Sequence, residues 1–244
     1  MPVALITGGS AGLGLALTTT LAADGWSVVT DGRSTDRLRD ALGATHGVRT
    51  IPGDVADPDH RDALAAAVRR LGRLDLLVHG ASTLGPLPMR ALRDLEPADL
   101  TRVWEVNAAA PLALTRLLLP SLQDSRGVIL SMSSDAAVEH YGTWGAYGAT
   151  KAALDHLTLT LAAEEAVTAY AVDPGDMRTG MHQDAFPGDD ISDRPLPETV
   201  VPHLLALVRR RPPSGRYRAV DVPISDEPVS DVAILEPVAG RTGI

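Results

Sequence analysis

The sequence predicts an α/β fold, a single domain built on a doubly wound parallel sheet of about seven strands with helices on both faces. Three observations carry this prediction. Short apolar runs rich in β-branched residues alternate with longer segments in which apolar residues recur three and four apart. The strand, helix, strand alternation repeats along the chain, the pattern of a parallel sheet covered on both sides. A glycine cluster, "TGGSAGLG", follows the first run at the point where a helix opens.

Taken in order, "VALIT" (3–7) is the first strand, and "AGLGLALTTTLAADG" reads as the helix that follows it. "SVVTD" (27–31), "VRTI" (48–51) and "LDLLVH" (74–79) read as buried strands two to four, with "DHRDALAAAVRRLG" a helix before the fourth. "GVILSM" (127–132) and "AYAV" (169–172) are strands five and six, separated by the helical "AYGATKAALDHLTLTLAAEEA", and "RYRAV" (216–220) is the seventh. In such sheets ligands bind beyond the carboxyl ends of the strands, so the loops after each run are the candidate sites.

Composition bounds the function. At 244 residues and 45% hydrophobic, the chain supports one large core. A net charge of -9 argues against a nucleic-acid footprint and against a membrane surface. There is no apolar run of about 18 residues and no charged n-region of a signal peptide, so a soluble, cytoplasmic protein is expected. Without cysteine there are no disulfides, thiolate nucleophiles or Cys-based zinc sites. The seven histidines show no ligand spacing, and no metal site is expected.

In the first loop Gly8, Gly12 and Gly14 let the backbone approach a pyrophosphate at a helix N-terminus. The spacing T-G-x-x-x-G-x-G differs from G-x-G-x-x-G and resembles the short-chain dehydrogenase/reductase family. Four further elements match in order: Asp54 in "GDVAD", Asn107 in "VWEVNAAAPLAL", "SMSSDAA" followed by "YGATK", and "DPGDMRTGM". The resemblance runs from about residue 3 to 220. It implies a Rossmann-like fold and an oxidoreductase acting on a small carbonyl or alcohol, such as a ketoreductase of secondary metabolism. It also implies a catalytic set of Asn107, Ser134, Tyr147 and Lys151. The cofactor contacts it implies are Gly8, Ser10, Gly12, Leu13, Gly14, Arg33, Asp54, Val55, Ala81, Pro174, Gly175 and Thr179, with Tyr147 and Lys151. The alternatives are an epimerase, dehydratase or cyclase on the same fold, or a cofactor-binding regulator without turnover.

Residue counts support the catalytic set independently. Lys151 is the only lysine beside 21 arginines, and Asn107 is the only asparagine. Carbonyl reduction needs a proton donor for the developing alkoxide. Tyrosine, with a usual pKa near 10, serves better if a neighbouring cation favours its phenolate. Residues four apart share a helix face, which sets Lys151 beside Tyr147. A compact ammonium can exchange protons there, and a guanidinium cannot. By resemblance Lys151 also binds ribose hydroxyls and relays protons through water to Asn107, while Ser134 polarises the substrate oxygen. Ser133, one residue earlier at a strand end, faces the other way.

After the second strand comes "TDGRS". The position of an NAD-selecting carboxylate holds Gly32, and Arg33 follows, which favours NADP(H); Asp31, one residue early, faces away from the ribose. A one-residue bulge would restore NAD(H). The family's N-N-A-G is "HGAS" (79–82) here, retaining only Ala81, and the connection from Lys151 to "DPG" is short for the family. Tyr141 is a pocket wall or a loop residue. Residues 176–197 read as a substrate lid, and residues 222–244 as an irregular tail that contacts another subunit. The long apolar segments "NAAAPLALTRLLLPSL" and "AYGATKAALDHLTLTLAAEEA" predict a homodimer or homotetramer.

Overall fold

A computed structural model describes residues 1–224. Seven parallel strands form one sheet: β1 (Val3–Thr7), β2 (Ser27–Gly32), β3 (Val48–Pro52), β4 (Leu76–His79), β5 (Val128–Met132), β6 (Thr168–Asp173) and β7 (Gly215–Arg218), in the order β3-β2-β1-β4-β5-β6-β7. The chain winds outward from β1 to β3, then returns to β4 on the other side of β1. The crevice opens where that order reverses, and all seven strands deliver their carboxyl ends to the same rim. The central strands β1, β4 and β5 are buried throughout, which explains their unbroken apolar runs.

Helices α1 (Gly12–Ala23) and α8 (Pro197–Arg210) cover one face, and α3 (Pro58–Leu71), α5 (Ala110–Ser125) and α6 (Gly145–Glu164) cover the other. Leu17, Leu21, Leu204 and Leu207 pack on the first face, and Leu64, Val68, Leu114 and Leu118 on the second. Each fully buried leucine contributes about 1.5–3 kcal/mol. The shorter α2 (Thr35–Leu42), α4 (Pro97–Trp104) and α7 (Gly180–Ala185) complete the fold. Local chemistry sets the helix ends. Ser34 caps α2 by accepting the Arg37 N–H, and Asp57 caps α3 ahead of Pro58.

β1 keeps the bounds of the sequence reading, the other strands shift by a residue or two at an end, and β4 and β7 shift most. β4 starts at Leu76 rather than Leu74, because the Asp75 carboxylate accepts the Val3 N–H at 2.8 Å and binds Arg73, which makes Leu74–Asp75 a lead-in. β7 stops at Arg218, where Ala219–Asp221 tighten into a helical turn. Between α4 and α5 the helix widens into a π-turn over Glu105–Ala109. Residues 176–197 hold α7 and the approach to α8. Of the tail expected over 222–244, residues 225–244 lie outside the described residues. No helix among the described residues is long and apolar enough to cross a membrane.

Candidate active site

The loop after β1 is shaped by close approach. Gly8 has φ +79°, and a Cβ there would meet Ala81 Cα at 2.9 Å. A Cβ on Gly14 would meet the Gly8 carbonyl at 2.3 Å, so helix and loop touch only because both residues are glycine. Gly12, at φ +55°, faces Thr179, whose methyl lies 3.4 Å from the position its Cβ would take. The first turn of α1 has neither a capping side chain nor an acidic residue, unlike α2 and α3. Its N–H groups therefore point into the crevice unpartnered by side chains, which suits a pyrophosphate.

Asp31 is buried beneath this loop. Its Oδ1 accepts the Gly8 N–H at 2.7 Å, its Oδ2 meets His60 Nε2 at 3.0 Å, and its own carbonyl accepts the Gly9 N–H. His60 fits because residue 53 is glycine: a Cβ there would stand 2.1 Å from the ring. The carboxylate is thus turned inward and fully engaged. Gly32 faces Ser10, and Arg33 is exposed at the rim. Asp54 accepts the Ala56 N–H at 2.9 Å and pairs with Arg102; these bonds, with Arg33 nearby, hold its pKa below the usual carboxylate value against the effect of burial. Val55 packs with Ala81 and Val106 beside it, and Leu13 lies in the core under the loop.

Beyond β4, "HGAS" is held from below. His79 bonds Thr115 at 2.7 Å, and burial pushes its pKa down to about 3, so the ring is neutral. Thr7 Oγ1 accepts the N–H groups of Gly80 and Ala81. The π-turn aims Asn107 inward, where its side chain is spent on this segment. Its Oδ1 accepts Ser82 Oγ (3.2 Å) and Thr83 N (2.9 Å), and its Nδ2 donates to Thr83 O and Thr150 Oγ1.

α6 carries Tyr147, Lys151 and Asp155 at successive four-residue steps, all buried on one face. Lys151 Nζ donates to the Met132 carbonyl at 2.7 Å and stands 5.4 Å from the Tyr147 ring centroid. Burial lowers the lysine to about 8, with Asp155 pulling the other way. The tyrosine departs from expectation: burial raises its pKa, and the Ser134 and Ser82 hydroxyls beside the phenol only partly offset this. In the chain itself desolvation is the largest effect on the phenol, opposite in direction to the lowering expected from Lys151.

The two serines after β5 point opposite ways. Ser134 Oγ, beside the phenol, donates to Asp135 Oδ1 at 2.9 Å and accepts the Ala136 N–H. Ser133 Oγ turns down to Asp155 Oδ2 at 2.8 Å. That oxygen also accepts Arg216 Nε at 3.0 Å, while Arg216 donates to the Ser134 carbonyl at 2.8 Å. After β6, Gly175 N–H returns to Asp173 Oδ1 at 2.9 Å, following Pro174, and Thr179 caps α7. Trp144 lies edge-on to Tyr147 with ring centroids 5.7 Å apart, and Phe186 of the 176–197 segment packs on it at 5.8 Å.

The crevice therefore gathers the loop glycines, Ser10, Ala81, Thr179, Ser134, Tyr147 and Lys151 at one rim, while Asn107 reaches Thr150 rather than Lys151. The residue model for "short chain dehydrogenase" matches residues 2–190. The chain belongs to the short chain dehydrogenase family. Among relatives of this short chain dehydrogenase, the benzil reductase ((S)-benzoin forming) of Saccharomyces cerevisiae is 33% identical over 195 residues, covering 75% of this chain and 74% of that protein. Sepiapterin reductase of Mus musculus is 34% identical over 199 residues, covering 74% and 76%. Among solved structures, an alcohol dehydrogenase from the archaeon Thermococcus sibiricus complexed with 5-hydroxy-NADP superposes with a TM-score of 0.80 at 25% identity, covering 89% of this chain and 95% of that one. The chain is an oxidoreductase of this family, which uses a nicotinamide cofactor.

Sequence reasoning did not assign Ser82, Asp155 or Arg216 to the site, and it placed Phe186 only within the 176–197 lid. A signal existed for the aromatic wall: "YGTWGAY" (141–147) holds three of the chain's eight aromatic residues. No local pattern marked Ser82 or Arg216, whose partners lie 25 and 61 residues away.

Proposed function

We propose that this chain is an NADP(H)-dependent oxidoreductase that interconverts a ketone or aldehyde and the corresponding alcohol. The observation that carries the reading is the buried Tyr147 phenol with the Ser134 and Ser82 hydroxyls beside it, at the same carboxyl-end rim of the sheet as the uncapped start of α1. The nicotinamide, when bound, supplies the hydride for the carbonyl carbon, or accepts it in the reverse direction. Tyr147 gives its proton to the carbonyl oxygen, and Ser134 Oγ, turning its one O–H from Asp135 Oδ1, donates a hydrogen bond to that same oxygen as charge develops on it. Burial keeps the phenol protonated near neutrality, the state that reduction requires. The Lys151 ammonium offsets the phenolate charge left after transfer. Asn107 acts through the loop: by fixing Ser82, Thr83 and Thr150 it positions both sides of the phenol.

Three features support NADP(H). Gly32 offers no carboxylate to the ribose, Asp31 is committed to Gly8 and His60, and Arg33, exposed at the rim without an ion pair among the described residues, could meet a 2′-phosphate. The 5-hydroxy-NADP of the Thermococcus structure adds to them. The exposed Leu100, Trp104 and Leu117 of α4 and α5 support a homodimer or homotetramer, which light scattering at micromolar protein checks. A cytoplasmic location is tested by cell fractionation.

The deciding experiment follows NADPH oxidation with a panel of ketones and aldehydes for the wild type and Tyr147→Phe. Loss of about 100-fold or more in the variant is expected. Equal oxidation by both proteins overturns the mechanism, and cofactor binding without turnover by either favours a regulator.

A further inference from the structure

The chain is poor in aromatic residues: one Phe, three Trp and four Tyr in 244 residues. Half of them converge at the catalytic tyrosine. Trp144 meets Tyr147 edge-on at 5.7 Å, Tyr141 meets Trp144 edge-on at 6.3 Å, and Phe186 packs on Trp144 at 5.8 Å. These come from two segments about forty residues apart, α6 with its approach and the 176–197 stretch. Met89 and Met181, two of only five methionines, join the same cluster with polarisable thioethers. Elsewhere among the described residues the two main core clusters are aliphatic apart from the Tyr170–Tyr217 pair and Trp26 at the edge of one of them. Aromatic residues placed for core filling would lie buried, yet Tyr141 is 47% exposed and Phe186 is 37% exposed, with ring surface left at the mouth of the crevice.

Charge around the wall is one-sided. Tyr141 Oη donates to Asp135 Oδ2 at 2.9 Å, and Glu139 and Asp176 lie close enough to raise its pKa further. The cations of the surrounding segments already face partners: Arg194 meets Asp176 and Asp193, His182 stands 3.7 Å from Asp176, Arg178 donates to the Ser192 carbonyl, and Arg90 pairs with Asp99. Among the described residues, a substrate carboxylate or phosphate would find acidic side chains here and no unengaged guanidinium.

We propose that the substrate carries an uncharged aromatic ring near its reacting carbonyl, and that Tyr141, Trp144 and Phe186 bind that ring. The inference rests on the reading of Tyr147 and Ser134 as the groups that hold the carbonyl oxygen. Trp144 touches Tyr147 directly, so a carbonyl at the phenol leaves the next few atoms of the substrate against the indole. Ring faces and edges of opposite partial charge then favour an aromatic partner over a saturated ring of the same size.

The test uses the purified full chain with NADPH and two ketones of matched carbonyl reactivity, 4-phenylbutan-2-one and 4-cyclohexylbutan-2-one. The wild type is expected to favour the phenyl ketone about tenfold in kcat/KM, mostly through KM. Trp144→Leu and Phe186→Leu should each bring that ratio toward one. A 4-carboxyphenyl analogue should be at least about tenfold poorer than the phenyl ketone. Equal use of the two rings, a ratio unmoved by both substitutions, or preference for the carboxylated ketone would overturn the proposal. Calorimetric binding of the same ketones to Tyr147→Phe with NADP+ separates the two readings. A phenyl preference in binding without wild-type turnover upholds the aromatic site and sinks the reductase mechanism; turnover with no preference does the reverse.

Discussion

Arg216 donates from Nε to the Asp155 carboxylate across 3.0 Å, tying β7 to α6 directly behind the two serines that follow β5. Both side chains are buried, and the same guanidinium holds the Ser134 carbonyl. Removing one partner strands the other's charge, so Arg216→Met should destabilise the fold by about 3–5 kcal/mol. Burial already raises the Asp155 pKa. A carboxylate whose folded pKa lies above its unfolded value loses stability as pH rises through that interval. The Arg216→Met defect, read from urea unfolding, should therefore be smaller in mild acid than at neutral pH. Arg216→Met with Asp155→Leu should recover part of the loss.

Lys151→Arg keeps a charge but not a size. Nζ is enclosed, 2% exposed as a residue, with its bond to the Met132 carbonyl spanning 2.7 Å. A planar guanidinium needs more room and holds its proton. Turnover should fall by about 100-fold or more with the circular dichroism spectrum retained. Near-normal turnover would reduce "YGATK" to an ordinary helix pair.

The buried lysine also predicts two opposite pH trends. Its pKa is about 8 in the folded chain against 10.5 when exposed. Between these values the unfolded chain binds more protons, so the Lys151 contribution to stability rises with pH. Over the same range the ammonium that supports Tyr147 is lost, and turnover should fall with an apparent pKa of about 8. Rates and urea midpoints measured together across this range check both signs; a parallel decline in the two would mean unfolding instead.

Cofactor choice should respond to a pair of residues. A Cβ on Gly32 would stand 2.8 Å from Ser10 Oγ, so Gly32→Asp alone strains the loop. Gly32→Asp with Ser10→Gly should shift preference toward NADH. Arg33→Ser should raise the NADPH KM by about 10-fold to 100-fold while sparing NADH.

Gly53→Ala tests the support beneath the phosphate loop. The added methyl would stand 2.1 Å from the His60 ring and must displace it from Asp31, the acceptor of the Gly8 N–H. Cofactor KM should rise severalfold with a smaller change in kcat, and the melting temperature should fall. An unchanged KM would show that Gly8 holds its position without this pair.

The sequence by itself determined the alternation of strands and helices, the glycine loop, and the placement of Tyr147 and Lys151 on one helix face. These depend on residue periodicity and on backbone geometry within a few residues. It also turned Ser133 from Ser134 and set Asp31 on the inward side of its strand, where it meets Gly8 and His60, since strand ends alternate. Tertiary structure alone decided which groups surround them. Strand order brings Arg216 to Asp155, Ser82 to Asn107, His60 to Asp31 and Phe186 to Trp144, none of which share a local pattern. It also set the protonation of Tyr147, because desolvation depends on everything packed around the phenol, whereas the sequence shows only the lysine one turn away.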